Sequence, residues 1–488
     1  MSVTVDSRHS SEPTRASPAE IDAALGRYAA VVDDWGAFRA ALCRPLPTTI
    51  WANPTRLDRD RLRALLSEEG VHARALRWHP HGLRLAPEFA PGRHWGLMAG
   101  LFQSQEEVAM VPALLLNPQP GERVLDLCAA PGNKTAQMAV AMGHSGTLIA
   151  NEIKRGRLGA LRQTVKRLGL TNVAITRRPG QEFPLRLGPF DRVLVDAPCS
   201  GEGTVRKNPH VLAGADGEAR AHLVAQQTRM LERALQLVRP GGRVVYATCT
   251  FAPEENECVV DSVLTRFRGA VRVRPARVSG FLGAPGLTEW AGRRLDRSLA
   301  GALRLWPHLN DTGGFFVAVL ERLEGPRHVA RTRELPAAEP AALTALAEGF
   351  GFPAGWNRGL AAVRFGSRYV HLVSADHQLP ADLEPEYLGL PALGVQVRPV
   401  KLTTAAAMRF GDRATERAAD VDRAQAGAFL RRVPFPLEDV QARTAWEGHV
   451  LIRYRGFVIG VGYLRRAPSG PTVASLYPKA WSSLAASP

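Results

Sequence analysis

Between about Gln103 and Arg322 the chain repeats one unit, a short apolar strand pattern followed by a helical pattern, and nothing else in the sequence constrains the fold as strongly. Strands are expected at 123–127, 147–152, 173–177, 192–197 and 243–249, with helices after Lys134, after Lys154 and over 220–238. Apolar strands separated by helices belong in a parallel sheet covered on both faces. Two later stretches, 271–275 and 314–321, fit an antiparallel hairpin at the edge of that sheet.

The flanks read differently. Residues 1–17 are rich in Ser, Thr and Pro without periodicity, as in a disordered tail. Residues 18–102 form a small α/β module, with helical spacing over 18–43, a strand at 48–52, a helix at 58–69 and a strand at 72–78. The sheet-forming core is 103–325, followed by a linker at 326–340 and two further modules, 341–415 and 416–488. In these modules strands are expected at 368–373 and 394–398, and a pair at 449–454 and 457–463 is joined by Arg455-Gly456.

Composition narrows the partners. The chain has 62 basic and 46 acidic residues and a formal charge of +16, which favours a polyanion, nucleic acid first. No apolar run approaches the ~18–20 residues of a membrane span, and the start of the chain lacks a secretory signal, so a cytoplasmic protein without membrane attachment is expected. Five cysteines without a C-x-x-C pair argue against a disulfide framework or a zinc site, and no metal is expected. Only six of the basic residues are lysine, among them Lys134, Lys154 and Lys207 within motifs.

Three turns follow successive strands. The first, Leu127-Cys128-Ala129-Ala130-Pro131-Gly132-Asn133-Lys134-Thr135, runs from a strand into a helix N-terminus, where ligands dock in parallel sheets. It is neither a G-x-G-x-x-G fingerprint nor a P-loop, since Asn133 precedes Lys134. Glu152, at the next strand end and about 20 residues on, suits the hydroxyls of a ribose. The second is Asp196-Ala197-Pro198-Cys199-Ser200-Gly201-Glu202-Gly203-Thr204; its glycines let a flat ring approach the backbone. The third places Cys249 at a strand end before Phe251-Ala252-Pro253, with Pro253 in the expected first turn of a helix whose N-terminus would activate the thiol. Together they put Lys134, Asp196, Cys199 and Cys249 around one crevice.

These motifs resemble the Nol/Nop/Sun family of RNA cytosine-5 methyltransferases. The resemblance rests on DLCAAPGNKT, on Asn151, Glu152 and Arg157, on DAPCSGEGTVRKNP, on the strand-terminal Thr248-Cys249, on FAPEENE and on LFQSQEEVAMVP. Within the family the chain is similar to the bacterial RsmB/RsmF-type subgroup, nearest the RsmF group, which modifies small-subunit ribosomal RNA. The resemblance implies a class I, Rossmann-like, S-adenosylmethionine-dependent fold, with a PUA-like RNA-binding domain over 416–488, a helper domain over 341–415 and an RNA-binding role for 18–102. It implies a monomer acting on ribosomal RNA or the small ribosomal subunit. It assigns the nucleophile to Cys249, product release to Cys199, ring binding to Asp196 and charge stabilisation to Lys134. It places Cys128, Ala129, Ala130, Pro131, Gly132 and Asn133 around the cofactor, with Glu152 on the ribose, Arg157 close by and Lys134 and Asp196 at the border with the substrate. Arg206, Lys207 and Asn208 are the expected RNA contacts.

The chemistry suits those residue types. Carbon 5 of cytosine is a weak nucleophile, so a thiolate must add at carbon 6 before carbon 5 can take a methyl group. The target base must leave the stack to be reached. One departure stands out: where the family usually holds adenine with an acidic residue, this chain has Arg178-Pro179-Gly180, leaving backbone groups, Gln181 or Glu182. Transfer RNA as substrate, or an RNA-binding assembly factor with impaired catalysis, are the alternative readings.

Overall fold

The computed structural model describes residues 15–482 except 215–216, 326–330, 339, 395–400, 439, 442–446 and 469. Its centre is a sheet built on β1 (Arg123–Asp126), β2 (Thr147–Asn151), β3 (Val173–Thr176), β4 (Phe190–Asp196) and β5 (Val238–Thr248). These five are parallel, in spatial order β3-β2-β1-β4-β5. Crossovers on either side of β1 run in opposite directions, so the order reverses between β1 and β4 and opens a crevice at their carboxyl ends. The strand expectations hold to within a residue at those ends; β5 begins earlier than expected, at Val238.

The helices α1 (Asn133–Ala141), α2 (Arg155–Arg167), α3 (Gly217–Leu237) and α4 (Glu257–Arg266) cover the sheet. Residues alternate between its two faces. Val124, Leu148 and Val245 thus enter one apolar cluster, with α1 and α2, while Leu125, Ile149 and Val244 enter another, with α3 and α4.

The expected edge hairpin is larger than a hairpin. Strand β6 (Val271–Arg274) and strand β7 (Leu303–Leu305) both pair antiparallel with β8 (Phe315–Arg322), which itself lies antiparallel to β5. At the opposite edge Tyr387–Leu388, from the C-terminal half, pairs antiparallel with β3. The sheet is therefore ten-stranded and recruits a strand from outside the expected 103–325 core.

Three other boundaries move. Ala16 is buried and Ser17 forms a capping box on the helix Pro18–Leu25, so the ordered chain begins before residue 18; residues 1–14 of the expected tail lie outside the described residues. The helical stretch expected over 18–43 is two helices, Pro18–Leu25 and Trp35–Leu42, the second capped by Asp34. The strand Phe102–Ser104 pairs with Thr48–Ala52, so the backbone ladder of the N-terminal four-stranded sheet crosses the expected boundary at 102/103. Most of the strand expected at 394–398 and much of the linker at 326–340 lie outside the described residues.

Toward the C-terminus, Gly448–Tyr454 and Phe457–Ala467 form the expected hairpin in a five-stranded sheet. Arg455 and Gly456 both have positive φ, 53° and 83°, the geometry that matches the twist of a two-residue hairpin turn. One apolar cluster runs from Leu62 and Phe102 of the N-terminal module through Phe410 to Ile459, Val461 and Tyr477. Among the described residues no helix is long and apolar enough to cross a membrane.

Candidate active site

The turn after β1 is shaped by one glycine. Gly132 has φ +106° and caps α1, and a Cβ there would lie 2.9 Å from Leu161 Cδ1. Only glycine holds this turn without strain, and the first turn of α1 leaves N–H groups without intrahelical partners. Backbone carbonyls of the turn are anchored from α2: Arg157 donates to Ala130 O and Thr164 Oγ1 to Pro131 O at 3.0 Å. Asn133 is held from the N-terminal module by Gln103 Nε2 at 2.6 Å.

Glu152 is 4% exposed at the end of β2 and accepts from its own loop, Lys154 N at 2.7 Å, and pairs with Arg157 at 3.2 Å. Beside it Asn151 bridges outward, donating to Arg178 O at 2.9 Å and accepting from Arg178 N at 3.0 Å. That side chain fixes the Arg178-Pro179-Gly180 turn through its backbone. Under the crevice Asp126 is buried, accepts from Thr135 Oγ1 at 2.7 Å, and is pushed up to about 7 by burial.

The next two turns meet. Lys134 Nζ lies 2.7 Å from Asp196 Oδ2, joining the first motif to the second. Burial alone would lower the Lys134 ammonium, but the Asp196 carboxylate outweighs it and holds the group charged above its ordinary value. Cys199 Sγ and Cys249 Sγ are 3.4 Å apart. The hydrogen bond from Cys199 lowers the Cys249 thiol below its ordinary value against the opposing effect of burial, with Lys134 assisting. The Cys199 thiol, holding the shared proton in a buried place, is pushed well up.

The helix expected to activate Cys249 is not where the sequence suggested. It is α4, which begins at Glu257, and residues between Phe251 and Asn256 form turns. Activation instead comes from the second cysteine and the lysine. Close packing behind Cys249 depends on glycine: Gly203 N donates to Cys249 O at 2.9 Å, Gly314 N donates to Gly203 O at 2.9 Å, and a Cβ on Gly314 would fall 2.0 Å from the Phe251 ring.

Arg206 is a correction. Its side chain is 1% exposed and donates to Thr312 O at 2.9 Å, Pro45 O at 2.5 Å, Arg44 O at 3.2 Å and Asp311 Oδ1 at 2.8 Å. With four of its five N–H donors given to three carbonyls and a carboxylate, this buried guanidinium ties the loop to the N-terminal module and is not displayed to phosphate. Lys207 and Asn208 are exposed, and Lys207 rims a cavity of about 590 Å³ with Arg15, Thr48 and Glu106.

Sequence reasoning missed the carboxylates that brace the site. Buried Glu255 accepts from Ser200 N at 3.0 Å and Gln227 Nε2 at 2.9 Å, while Gln227 also donates to Pro198 O. Buried Glu202 accepts from Tyr28 Oη at 2.7 Å, Thr250 Oγ1 at 3.1 Å and Arg220 at 3.0 Å. Both glutamates lie inside quoted motifs, but their partners are distant in sequence.

The strand order and the crevice at the carboxyl ends of β1 and β4 are those of the class I methyltransferase fold. Residues 113–321 match the family model described as 16S rRNA methyltransferase RsmB/F. It is 36% identical over 293 residues to ribosomal RNA small subunit methyltransferase F of Klebsiella pneumoniae (strain 342), covering 58% of this chain and 59% of that protein. It is 35% identical over 302 residues to a 28S rRNA (cytosine(4447)-C(5))-methyltransferase of Homo sapiens, covering 61% of this chain and 37% of that protein. The chain thus spans about a third to three fifths of the length of these relatives. A solved methyltransferase homologue from Pyrococcus horikoshii superposes with a TM-score of 0.54 at 29% identity, covering 63% of this chain and 100% of that one.

The residues present fit the cofactor: a tight turn held by Gly132 at positive φ against α2, a helix N-terminus, and a buried carboxylate at the next strand end.

Proposed function

We propose that the chain forms 5-methylcytosine in ribosomal RNA of the small subunit, with Cys249 as covalent nucleophile. S-adenosylmethionine, when bound, supplies an electrophilic methyl group. Backbone groups of Cys128 to Asn133 would hold it, with Glu152 on the ribose hydroxyls and Arg157 alongside. The single observation that carries the proposal is the pair of sulfurs 3.4 Å apart, one thiol lowered and one raised, next to a lysine–carboxylate pair.

The roles follow from this asymmetry. The Cys249 thiolate adds to carbon 6 of a cytosine held through N3 and its amine by Asp196, and the electron pair of the 5,6 double bond moves to carbon 5. Lys134, kept protonated by Asp196, sits where negative charge spreads into the ring. After carbon 5 has been methylated, its proton passes to water or a basic group in the crevice, the electron pair restores the double bond, and Cys249 leaves as a thiolate, with Cys199 assisting that release. The relatives' names support ribosomal RNA as substrate, and the charge of +16 supports a polyanion. The C-terminal modules, the last of them PUA-like, and the exposed Lys207 and Asn208 would hold the RNA.

The test is methyl transfer from labelled cofactor to 16S ribosomal RNA, followed by nuclease digestion and identification of the nucleoside. Labelled 5-methylcytidine is expected; label on another nucleoside, or none, overturns the proposal.

A further inference from the structure

A second cavity, of about 320 Å³, lies outside the catalytic crevice, between the N-terminal module and the C-terminal sheet domain. Its walls include Trp95 and Met98 from one side and Leu430, Arg431 and Tyr454 from the other. We propose that it receives one unstacked nucleotide of the RNA whose target base enters the crevice, an inference that rests on the RNA methyltransferase reading above.

The floor is apolar and flat-sided. Trp95 and Tyr454 meet edge to face with centroids 4.9 Å apart at 78°, and both are only half-buried. The indole is fixed in place: Glu69 accepts from Trp95 Nε1 at 2.9 Å, bonds His94 Nε2 at 2.8 Å and pairs with Arg455 at 2.9 Å. Arg455 also meets Glu68, so one guanidinium bridges both acids of the wall. Arg93, Arg423 and Arg431 also line the cavity and are exposed, and among the described residues none has a carboxylate within ion-pair distance. A preformed aromatic wall under three uncompensated guanidinium groups matches a base and its flanking phosphates. An acidic peptide would satisfy the arginines and leave the rings without a flat partner. The cavity also exists only where both ends of the chain meet, so an RNA strand seated there would be read by the N- and C-terminal modules together.

The experiment uses the full chain, a 16S ribosomal RNA transcript and filter binding across a salt series, with the double variant Arg423→Ala/Arg431→Ala and the variant Tyr454→Leu, which keeps apolar contact with Trp95. Each should weaken RNA binding about tenfold. The double arginine variant should also flatten the salt slope by roughly 1.4–1.8, whereas Tyr454→Leu should leave the slope unchanged. Cofactor affinity and kcat at saturating RNA should not move in either. A wild-type chain that binds and methylates RNA beside folded variants with unchanged affinity and slope overturns this inference alone. A wild-type chain that binds no RNA overturns the methyltransferase reading and this inference with it. Poly-glutamate competing as well as RNA of equal charge would also overturn it.

Discussion

Cys199 and Cys249 face each other at 3.4 Å, and the contact shifts the two thiols in opposite directions, Cys249 down and Cys199 up. With the Cys249 thiol drawn below its ordinary value by its contact with Cys199, alkylation of Cys249 by iodoacetamide should rise with pH at lower pH than for a free thiol. Replacing Cys199 by Ala removes the donor, so the alkylation profile should move to higher pH. A profile that stays in place would show that the contact does not tune the thiol.

The same contact separates two steps of turnover. Cys249→Ala should abolish methyl transfer, a loss of at least about a thousandfold in a covalent mechanism. Cys199→Ala should instead accumulate a protein–RNA adduct that survives denaturation, seen as a retarded labelled band on a denaturing gel. Normal turnover by the Cys199 variant without an adduct would refute the division of labour.

Much of this site was legible because each motif ends a parallel strand. Such strands are continuous apolar runs, and their ends are marked by the turn residues Pro131, Pro198 and Gly132, so Asp126, Asn151, Asp196 and Thr248 could be located to within a residue. Their adjacency in the sheet then brought Lys134 to Asp196 and Cys199 to Cys249. What stayed hidden depends on contacts between distant segments. Nothing near Tyr28 shows that its hydroxyl reaches Glu202, 174 residues away. Arg206 looked like a phosphate contact because sequence shows its charge and not the carbonyls that consume it. The helix after Cys249 was placed too early because Pro253 suits a first helical turn, yet the chain makes turns there before α4 begins at Glu257.

The Lys134–Asp196 pair, 13% and 29% exposed, predicts a non-additive result. Asp196→Asn leaves a largely buried ammonium without its counter-charge and should lower stability by about 1–3 kcal/mol in urea unfolding. Adding Lys134→Met should restore much of that loss, since removing both charges is far less costly than stranding one. Neither the single nor the double variant should regain transfer, with kcat reduced about a hundredfold or more. Restored activity in the double variant would remove both residues from the chemistry.

Glu202 ties the N-terminal module to the catalytic loops through Tyr28, while Thr250, which donates to Glu202, also meets Ser200 next to Cys199. The phenol is buried and pushed well above its ordinary value, mainly by burial and then by the Glu202 carboxylate, so it stays a donor at neutral pH. Tyr28→Phe keeps the ring, and with it the contacts to Phe251 at 6.1 Å and Trp290 at 6.3 Å, and removes only the hydroxyl. Glu202 retains Arg220 at 3.0 Å, so its charge remains compensated and the stability cost should be modest, about 1 kcal/mol. The larger effect is expected in positioning: with one of three anchors gone, the Gly201–Thr204 turn, whose Gly203 N donates to Cys249 O, should loosen, lowering kcat several-fold while cofactor affinity, proposed to rest on the turn at Gly132 and on Glu152, is unchanged. Steady-state kinetics beside cofactor titration separates these quantities; equal losses in both would mean that Tyr28 supports the whole domain rather than the nucleophile's loop.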